Sequence, residues 1–134
     1  MSTISGVLVL AFAMSYLCVP GDGLDVTLVE WSCDDGWVPE TGDSMRAITD
    51  LITQLINITP LEDYSFKDWK QRGDDRMWGH ANCSPNLWDK NDCSKCLVIA
   101  DGELKHSCPF RKGARVKLRD CKMRYHNYDF DPNW

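Results

Sequence analysis

Cysteine is the residue type in this chain whose spacing could carry chemistry. Seven cysteines occur, and Cys93 and Cys96 form a C-x2-C pair at the start of a segment with helical periodicity. Such a pair can be half of a zinc site, a redox pair, or the anchor of two separate disulfides. Zinc would need a second pair at matching spacing, and a redox pair would follow the strand of a βαβ unit. Neither feature is found, so we predict structural disulfides, no metal and no cofactor.

The beginning of the chain indicates an oxidising compartment, which favours disulfides. Residues Gly6 to Val19 form an apolar run that is too short to span a bilayer and has the length of a signal-peptide core. Small residues at Gly21 and Gly23 suit cleavage before Leu24, although no Lys or Arg precedes the run; the alternative is a buried N-terminal strand. Cleavage would remove Cys18 and leave six cysteines for three disulfides, whose pairing the spacing leaves open.

We therefore expect residues 1–23 to be a signal peptide and residues 24–134 to be one secreted, extracellular domain. No later apolar run is long enough to cross a membrane. No nucleophile elbow, phosphate loop or metal motif is present, and the three histidines have no Ser or carboxylate partner at an informative spacing. We predict that the protein is not an enzyme. Only a glycosidase stays open, because its paired carboxylates leave no local signature.

The charge is mildly acidic overall but unevenly distributed. A formal net charge of −5 gives no general attraction for nucleic acid, so we expect no nucleic-acid partner. Between residues 105 and 124, however, only Asp120 is acidic. The basic residues of this interval are Lys105, Arg111, Lys112, Arg115, Lys117, Arg119, Lys122 and Arg124. They fit a solvated face as well as they fit a docking surface for an anionic partner.

Alternating and helical patterns in the first half of the chain predict three strands and a helix. Leu24 to Cys33 alternates as a first strand, and an apolar stripe from Ser44 to Ile56 predicts a helix that Asp43 caps and Pro60 ends. Tyr64 to Gln71 and Arg76 to Cys83 then form a hairpin around a Gly-Asp-Asp turn. Its aromatic residues are expected in the core: Tyr64, Phe66, Trp69 and Trp78.

The second half predicts one more helix and one long strand. Cys93 to about His106 is helical, with Asn91 or Asp92 as its cap. Ala114 to Tyr125 alternates as a strand. Its inward-facing residues change from even to odd positions near Arg119 and Asp120, which predicts a bulge there. The predicted helices lie outside the strand hairpins in the chain order. This order predicts an α+β fold, in which an antiparallel sheet of about five strands packs on two helices.

The cysteine run also resembles a known family. Cys83-x9-Cys93-x2-Cys96, then Cys108, then the sequence GARVKLRDC that ends at Cys121, resemble the ginkbilobin-like, salt-stress/antifungal cysteine-rich domain of land plants. The family has eight residues between the first two clustered cysteines, where this chain has nine. The resemblance implies a sheet packed on two helices and three disulfides, Cys33–Cys108, Cys83–Cys93 and Cys96–Cys121.

The resemblance implies a function as well. Members of this family are secreted antifungal proteins, some of which bind mannose, or ectodomains of receptor kinases and plasmodesmal proteins. The mannose-binding Asn, Arg and Glu of the family fall on Asp34, Arg115 and His126, so only the arginine is kept. We therefore expect a secreted, apoplastic defence protein that binds carbohydrate, either of mannose type or another fungal or cell-wall glycan. The alternative is an interaction module whose basic strand docks on an acidic surface such as anionic lipid, pectin or a receptor ectodomain.

Overall fold

The computed structural model describes residues 23–134, which form a five-stranded antiparallel sheet and two helices. The predicted signal peptide lies outside the described residues, apart from Gly23. In chain order the elements are β1 (Leu28–Cys33), α1 (Asp43–Ile58), a short 3-10 turn (Thr59–Leu61), β2 (Ser65–Arg72), β3 (Asp75–Cys83), α2 (Lys90–Ser107), β4 (Ala114–Leu118) and β5 (Cys121–His126). The strands lie in the order β1-β4-β5-β3-β2. None of the helices between residues 23 and 134 is long and apolar enough to cross a membrane.

The apolar core lies between the two helices and one face of the sheet, as the α+β prediction expected. The stripe of α1 supplies the fully buried Leu51 and Leu55, and α2 supplies Leu97. α1 approaches β3 at Gly79, where a Cβ atom would lie 2.8 Å from Leu51 Cδ2. Glycine is therefore required at this position for the helix to pack so closely on the strand.

Three disulfides hold α2 to the rest of the domain, with the pairing that the family resemblance implied. Cys33–Cys108 links the end of β1 to the end of α2. Cys83–Cys93 links the end of β3 to the first turn of α2. Cys96–Cys121 joins the middle of α2 to the start of β5. Each disulfide stabilises so small a domain by roughly 2 to 4 kcal/mol, because it restricts the unfolded chain.

The prediction of one long strand from Ala114 to Tyr125 is wrong. The change of parity marks a tight turn at Arg119 and Asp120, after which β5 folds back antiparallel on β4 with Lys117 opposite Lys122. No glycine or asparagine signals this turn in the sequence. It is held instead by distant residues, because Arg119 and Asp120 donate their backbone N–H groups to the carbonyls of Thr27 and Asp25.

The same contacts explain why β1 begins at Leu28 rather than at Leu24. The carboxylate of Asp25 accepts hydrogen bonds from the backbone N–H and the hydroxyl of Thr27, at 3.0 and 2.6 Å. This local turn competes with strand pairing. Residues 24–27 therefore support the β4–β5 turn, and the ladder with β4 starts at the pair of Leu28 and Leu118.

Both predicted helix caps lie too far along the chain, by one residue for α1 and by two or three residues for α2. Asp43 is the first helical residue of α1 and pairs with Arg46 at 3.2 Å, while Gly42 precedes the helix without a side-chain cap. The cap of α2 is Asp89, whose carboxylate accepts from the backbone N–H of Asn91 at 2.8 Å. The predicted hairpin is correct, since β2 and β3 pair along their full length.

Candidate functional site

The face of the sheet away from the helices, called here the outer face, carries most of the polar side chains of the central strands. In β4 and β5 the buried residues alternate with Arg115, Lys117, Lys122 and Arg124, which therefore point to the outer face. Arg115 lies opposite Arg124, and Lys117 lies opposite Lys122. The basic interval predicted from the sequence thus places four of its cations together on this face.

At one end of the outer face, Asp34 and His126 are in direct contact. His126 Nδ1 lies 2.6 Å from Asp34 Oδ2. The backbone of Asp34 is held by two further contacts, its N–H to the carbonyl of Gly113 at 2.9 Å and its carbonyl to the guanidinium of Arg111 at 3.1 Å. Two of the three residues predicted for the carbohydrate site therefore meet, and the loop after β1 is rigidly placed.

Gly113, the glycine of the GARV sequence, is required by this contact. A Cβ atom at position 113 would lie 2.1 Å from Asp34 Oδ2 and 2.5 Å from His126 Nδ1. Both atoms belong to the contact itself, and no flexible side-chain end could move aside to make room. Glycine at this position therefore keeps the space in which Asp34 meets His126.

Both ring nitrogens of His126 are engaged. Nε2 accepts a hydrogen bond from Arg124 Nε at 3.0 Å, so the hydrogen-bond network assigns the proton to Nδ1, which donates to Asp34. Burial lowers the pKa of His126, and the nearby Arg124 and Arg115 lower it further against the opposing effect of Asp34. The ring is therefore neutral at neutral pH, and it orients the Asp34 carboxylate.

Arg115, the third predicted site residue, lies on the same face but does not contact Asp34. Its Nε donates to the hydroxyl of Ser32 on β1 at 2.9 Å. Within residues 23–134, no hydrogen bond or ion pair engages its two terminal nitrogens, and none engages Asp34 Oδ1. This end of the outer face thus offers two kinds of hydrogen-bonding group, guanidinium donors and a carboxylate acceptor.

The segment of residues 127–134 (NYDFDPNW), for which the sequence predicted no role, lies against the outer face. Tyr128 stacks on the ring of His126 with centroids 4.8 Å apart, and Phe130 contacts the same ring edge-on at 5.1 Å. Trp134 donates its indole N–H to His80 Nδ1 at 3.1 Å. The alternation of aromatic and acidic residues after a basic strand was the signal that could have revealed this contact.

Two other features lie outside this site: aromatic residues of the hairpin and an apolar cleft beside the helices. Trp69 and Trp78 were expected in the core, but they pair on the outer face, where Trp69 is 48% exposed and Trp78 is half-buried. The Arg76 guanidinium lies 4.2 Å from the centre of the Trp69 ring and 5.6 Å from that of Trp78. An apolar cleft of about 320 Å³ lies between α1 and the end of α2, and it is lined by side chains such as Ile52, Leu104 and Phe110. Its lining suits apolar groups rather than sugar hydroxyls.

Among residues 23–134, no cluster of three or more His, Cys, Asp or Glu could hold a metal ion.

The architecture and its three disulfides define a small α+β domain of the class found in extracellular, disulfide-stabilised proteins. Residues 38–128 match the family described as salt stress response/antifungal, and the chain belongs to this family.

Relatives and solved structures agree with this assignment. The chain is 31% identical over 89 residues to an antimicrobial ginkbilobin-2-like protein of Castanea crenata, which covers 66% of this chain but only 35% of that protein. It is 24% identical over 125 residues to the antifungal protein ginkbilobin-2 of Ginkgo biloba, covering 91% of this chain and 92% of that one. The fold matches the tandem DUF26 ectodomain of the cysteine-rich receptor-like protein PDLP5 of Arabidopsis thaliana with a TM-score of 0.70 at 17% identity, over 78% of this chain and 51% of that one. The relatives thus carry antimicrobial or antifungal names, and the solved structure shows that the fold is shared with a plant receptor-like ectodomain.

Proposed function

We propose that this chain is a secreted defence protein that acts by binding a carbohydrate, of mannose type or another fungal or cell-wall glycan, and that it has no catalytic activity. Its similarity to proteins named as antifungal supports the defence role. The observation that supports a sugar as ligand is the convergence of Asp34, Arg115 and His126 at one end of the outer face. Asp34 and His126 are in contact there, and Arg115 is the partner of Arg124 in the sheet.

The proposed contacts follow from the groups that remain unengaged in the described residues. Asp34 Oδ1 would accept from one sugar hydroxyl, and the terminal nitrogens of Arg115 would donate to a neighbouring hydroxyl oxygen. The planar guanidinium suits two adjacent oxygens, which a lysine ammonium cannot match. His126 has no unengaged ring nitrogen, so its role is to position Asp34 rather than to touch the sugar.

A glycan array with matched variants tests this proposal. Arg115→Lys keeps the positive charge but removes the planar guanidinium with its paired N–H donors. We therefore expect about a tenfold loss of glycan binding, equivalent to about 1.4 kcal/mol. Arg119→Lys is the matched control, because Arg119 is exposed in the β4–β5 turn. Equal binding by Arg115→Lys and the control would contradict the site assignment, and turnover of chitin, glucan or mannan in excess would contradict the absence of catalysis.

A second candidate function is docking of the basic strands on an anionic surface such as pectin, anionic lipid or a receptor ectodomain. The observation that favours it is the pairing of Lys117 with Lys122 and of Arg115 with Arg124 across β4 and β5. Binding of this kind weakens steeply between low and physiological salt, whereas recognition of neutral hydroxyls barely changes. Running the array at two salt concentrations therefore separates the two functions. Arg115→Lys should leave the charge-driven binding nearly intact.

A further inference from the structure

The segment of residues 127–134 rests on the outer face through side chains. It contacts residues of β5, β3 and β2, and most of its own residues are exposed. In the described part of the chain, no backbone-to-backbone hydrogen bond joins it to a strand of the sheet. Its position therefore depends on side-chain contacts with the groups beneath it.

Those groups are three cations, and each contacts an aromatic ring of the segment. Arg124 lies 4.1 Å from the centre of the Phe130 ring, and Lys122 lies 4.7 Å from the centre of the Trp134 ring. Lys67 of β2 lies 5.1 Å from the centre of the Phe130 ring. Cation–π contacts of this kind contribute most where the cation is partly removed from water, and all three cations here are half-buried.

Acidic and polar groups complete the fit. Lys67 Nζ donates to the Asp129 carboxylate at 2.5 Å and to the carbonyl of Phe130 at 2.5 Å. Lys122 donates to the carbonyl of Trp134. His80 of β3 accepts from the Trp134 indole, and its other ring nitrogen contacts the hydroxyl of Ser65. Rings, a carboxylate, carbonyls and an indole N–H are thus each matched to a group on the sheet.

The surface beneath the segment brings like charges together, with Arg124 opposite Arg115 and Lys122 opposite Lys117 in the sheet. Burial lowers the pKa values of Lys122 and Arg124, and neighbouring cations lower them further. Side chains that only had to fill the outer face would not need clustered like charges together with a buried histidine. A clustered cationic surface with an aromatic and acidic cover is typical of a recognition surface.

We propose that the outer face at Lys67, Lys122 and Arg124 is a binding site for peptide segments of partner proteins in which aromatic and acidic side chains alternate, and that residues 127–134 are its intramolecular occupant. A peptide is favoured over an acidic polysaccharide or a lipid because the rings over the cations and the indole donor to His80 belong to amino-acid side chains. The site adjoins the proposed glycan site at His126, whose ring Tyr128 and Phe130 contact, but it uses neither Asp34 nor Arg115.

The covalent connection makes the intramolecular occupant hard to displace. A tethered segment has an effective concentration in the millimolar range, so a partner peptide of equal intrinsic affinity competes poorly at micromolar concentrations. The full chain should therefore be closed to weak partners. Removing or weakening the segment should open the site.

Binding of a synthetic peptide tests the proposal directly. The protein is prepared with its chain ending at His126, its three disulfides are verified, and it is titrated with fluorescein-labelled NYDFDPNW while anisotropy is recorded. We expect saturable binding to the shortened protein and at least tenfold weaker binding to the full chain. A peptide with both aspartates changed to asparagine, and another with Phe and Trp changed to alanine, should each bind at least tenfold more weakly.

Variants of the full chain provide the second measurement. Phe130→Ala combined with Trp134→Ala loosens the segment without shortening the chain, and we expect it to bind the labelled peptide more tightly than the unmodified protein does. Adding Arg124→Gln to this double variant should abolish binding. Adding Lys117→Gln, which lies on the same face but has no contact with the segment among the described residues, should not.

Failure of the proposal is distinguishable from failure of the glycan proposal, because no sugar is present in this assay. A shortened protein that is folded and does not bind the peptide overturns the peptide site. Equal affinity of the full and shortened chains overturns the role of residues 127–134 as its occupant. If both the shortened protein and the double variant fail to fold, the segment is an integral part of the fold and the proposal is wrong.

Discussion

The two faces of the sheet are built on opposite principles. The helix-packed face is apolar and covalently linked, with Val116 and Met123 fully buried and three disulfides around α2. The outer face carries cations, two buried histidines and a cover that side chains hold in place. Stability therefore lies mainly in one face, while the other is free to carry groups that recognise a ligand.

Breaking a disulfide of the helix-packed face should have the largest effect on stability. The double variant Cys96→Ala, Cys121→Ala opens a loop with a sequence separation of 25. We expect the free energy of unfolding in urea to fall by about 3 kcal/mol, because the unfolded chain regains entropy. In the unmodified domain no thiol should react before reduction, and six should react after it. A loss well under 1 kcal/mol would show that the sheet face is stable without its link to α2.

Gly113→Ala tests whether the end of the outer face is as tightly packed as the core. The added Cβ must push apart Asp34 and His126, so we expect a loss of about 2 to 3 kcal/mol in unfolding free energy and loss of glycan binding. Gly102→Ala in α2 is the matched control, since a Cβ there meets nothing within 4 Å. It should stabilise the helix by up to about 1 kcal/mol. Equal effects of the two substitutions would contradict the packing at Gly113.

The two faces should also differ in their response to acid. Burial lowers the pKa of His80 to about 4, and Lys122, Arg124 and Lys67 contribute to the shift. Since the unfolded histidine takes up its proton near pH 6.5, this contribution to stability is complete above that value and decreases as the pH falls. We expect a loss of about 2 kcal/mol between pH 7 and pH 5. His80→Gln should flatten this part of the stability profile, whereas Asn82→Gln on the same face should not.

Asp34→Asn should have the smallest effect and sharpens the assignment of the glycan site. The amide restores the family residue and keeps an acceptor for His126 Nδ1, while it adds donors toward a sugar. We expect mannose binding to strengthen by about threefold, a change of about 0.6 kcal/mol, with unfolding free energy nearly unchanged. Weaker binding in calorimetry would show that the carboxylate of Asp34 is the preferred acceptor.

Local pattern and the cysteine run predicted the α+β class, the β2–β3 hairpin and both helices. The stripe of α1 needed no tertiary information, because a helix repeats its apolar face every three to four residues. The resemblance carried by Cys83, Cys93, Cys96 and the GARV sequence supplied the disulfide pairing, which spacing alone left open. It also pointed to Asp34, Arg115 and His126, two of which lie in contact.

What the sequence could not determine depends on contacts between residues far apart in the chain. The turn at Arg119 and Asp120 exists because residues 24–27 bond to it, some 95 positions away. The orientation of His126 depends on Asp34 and Arg124 together, and its neutral state depends on burial beneath Tyr128 and its neighbours. Residue types and their period are properties of the chain itself. Hydrogen-bond partners, pKa values and the cover on the outer face arise only when the fold brings distant groups together and excludes water from them.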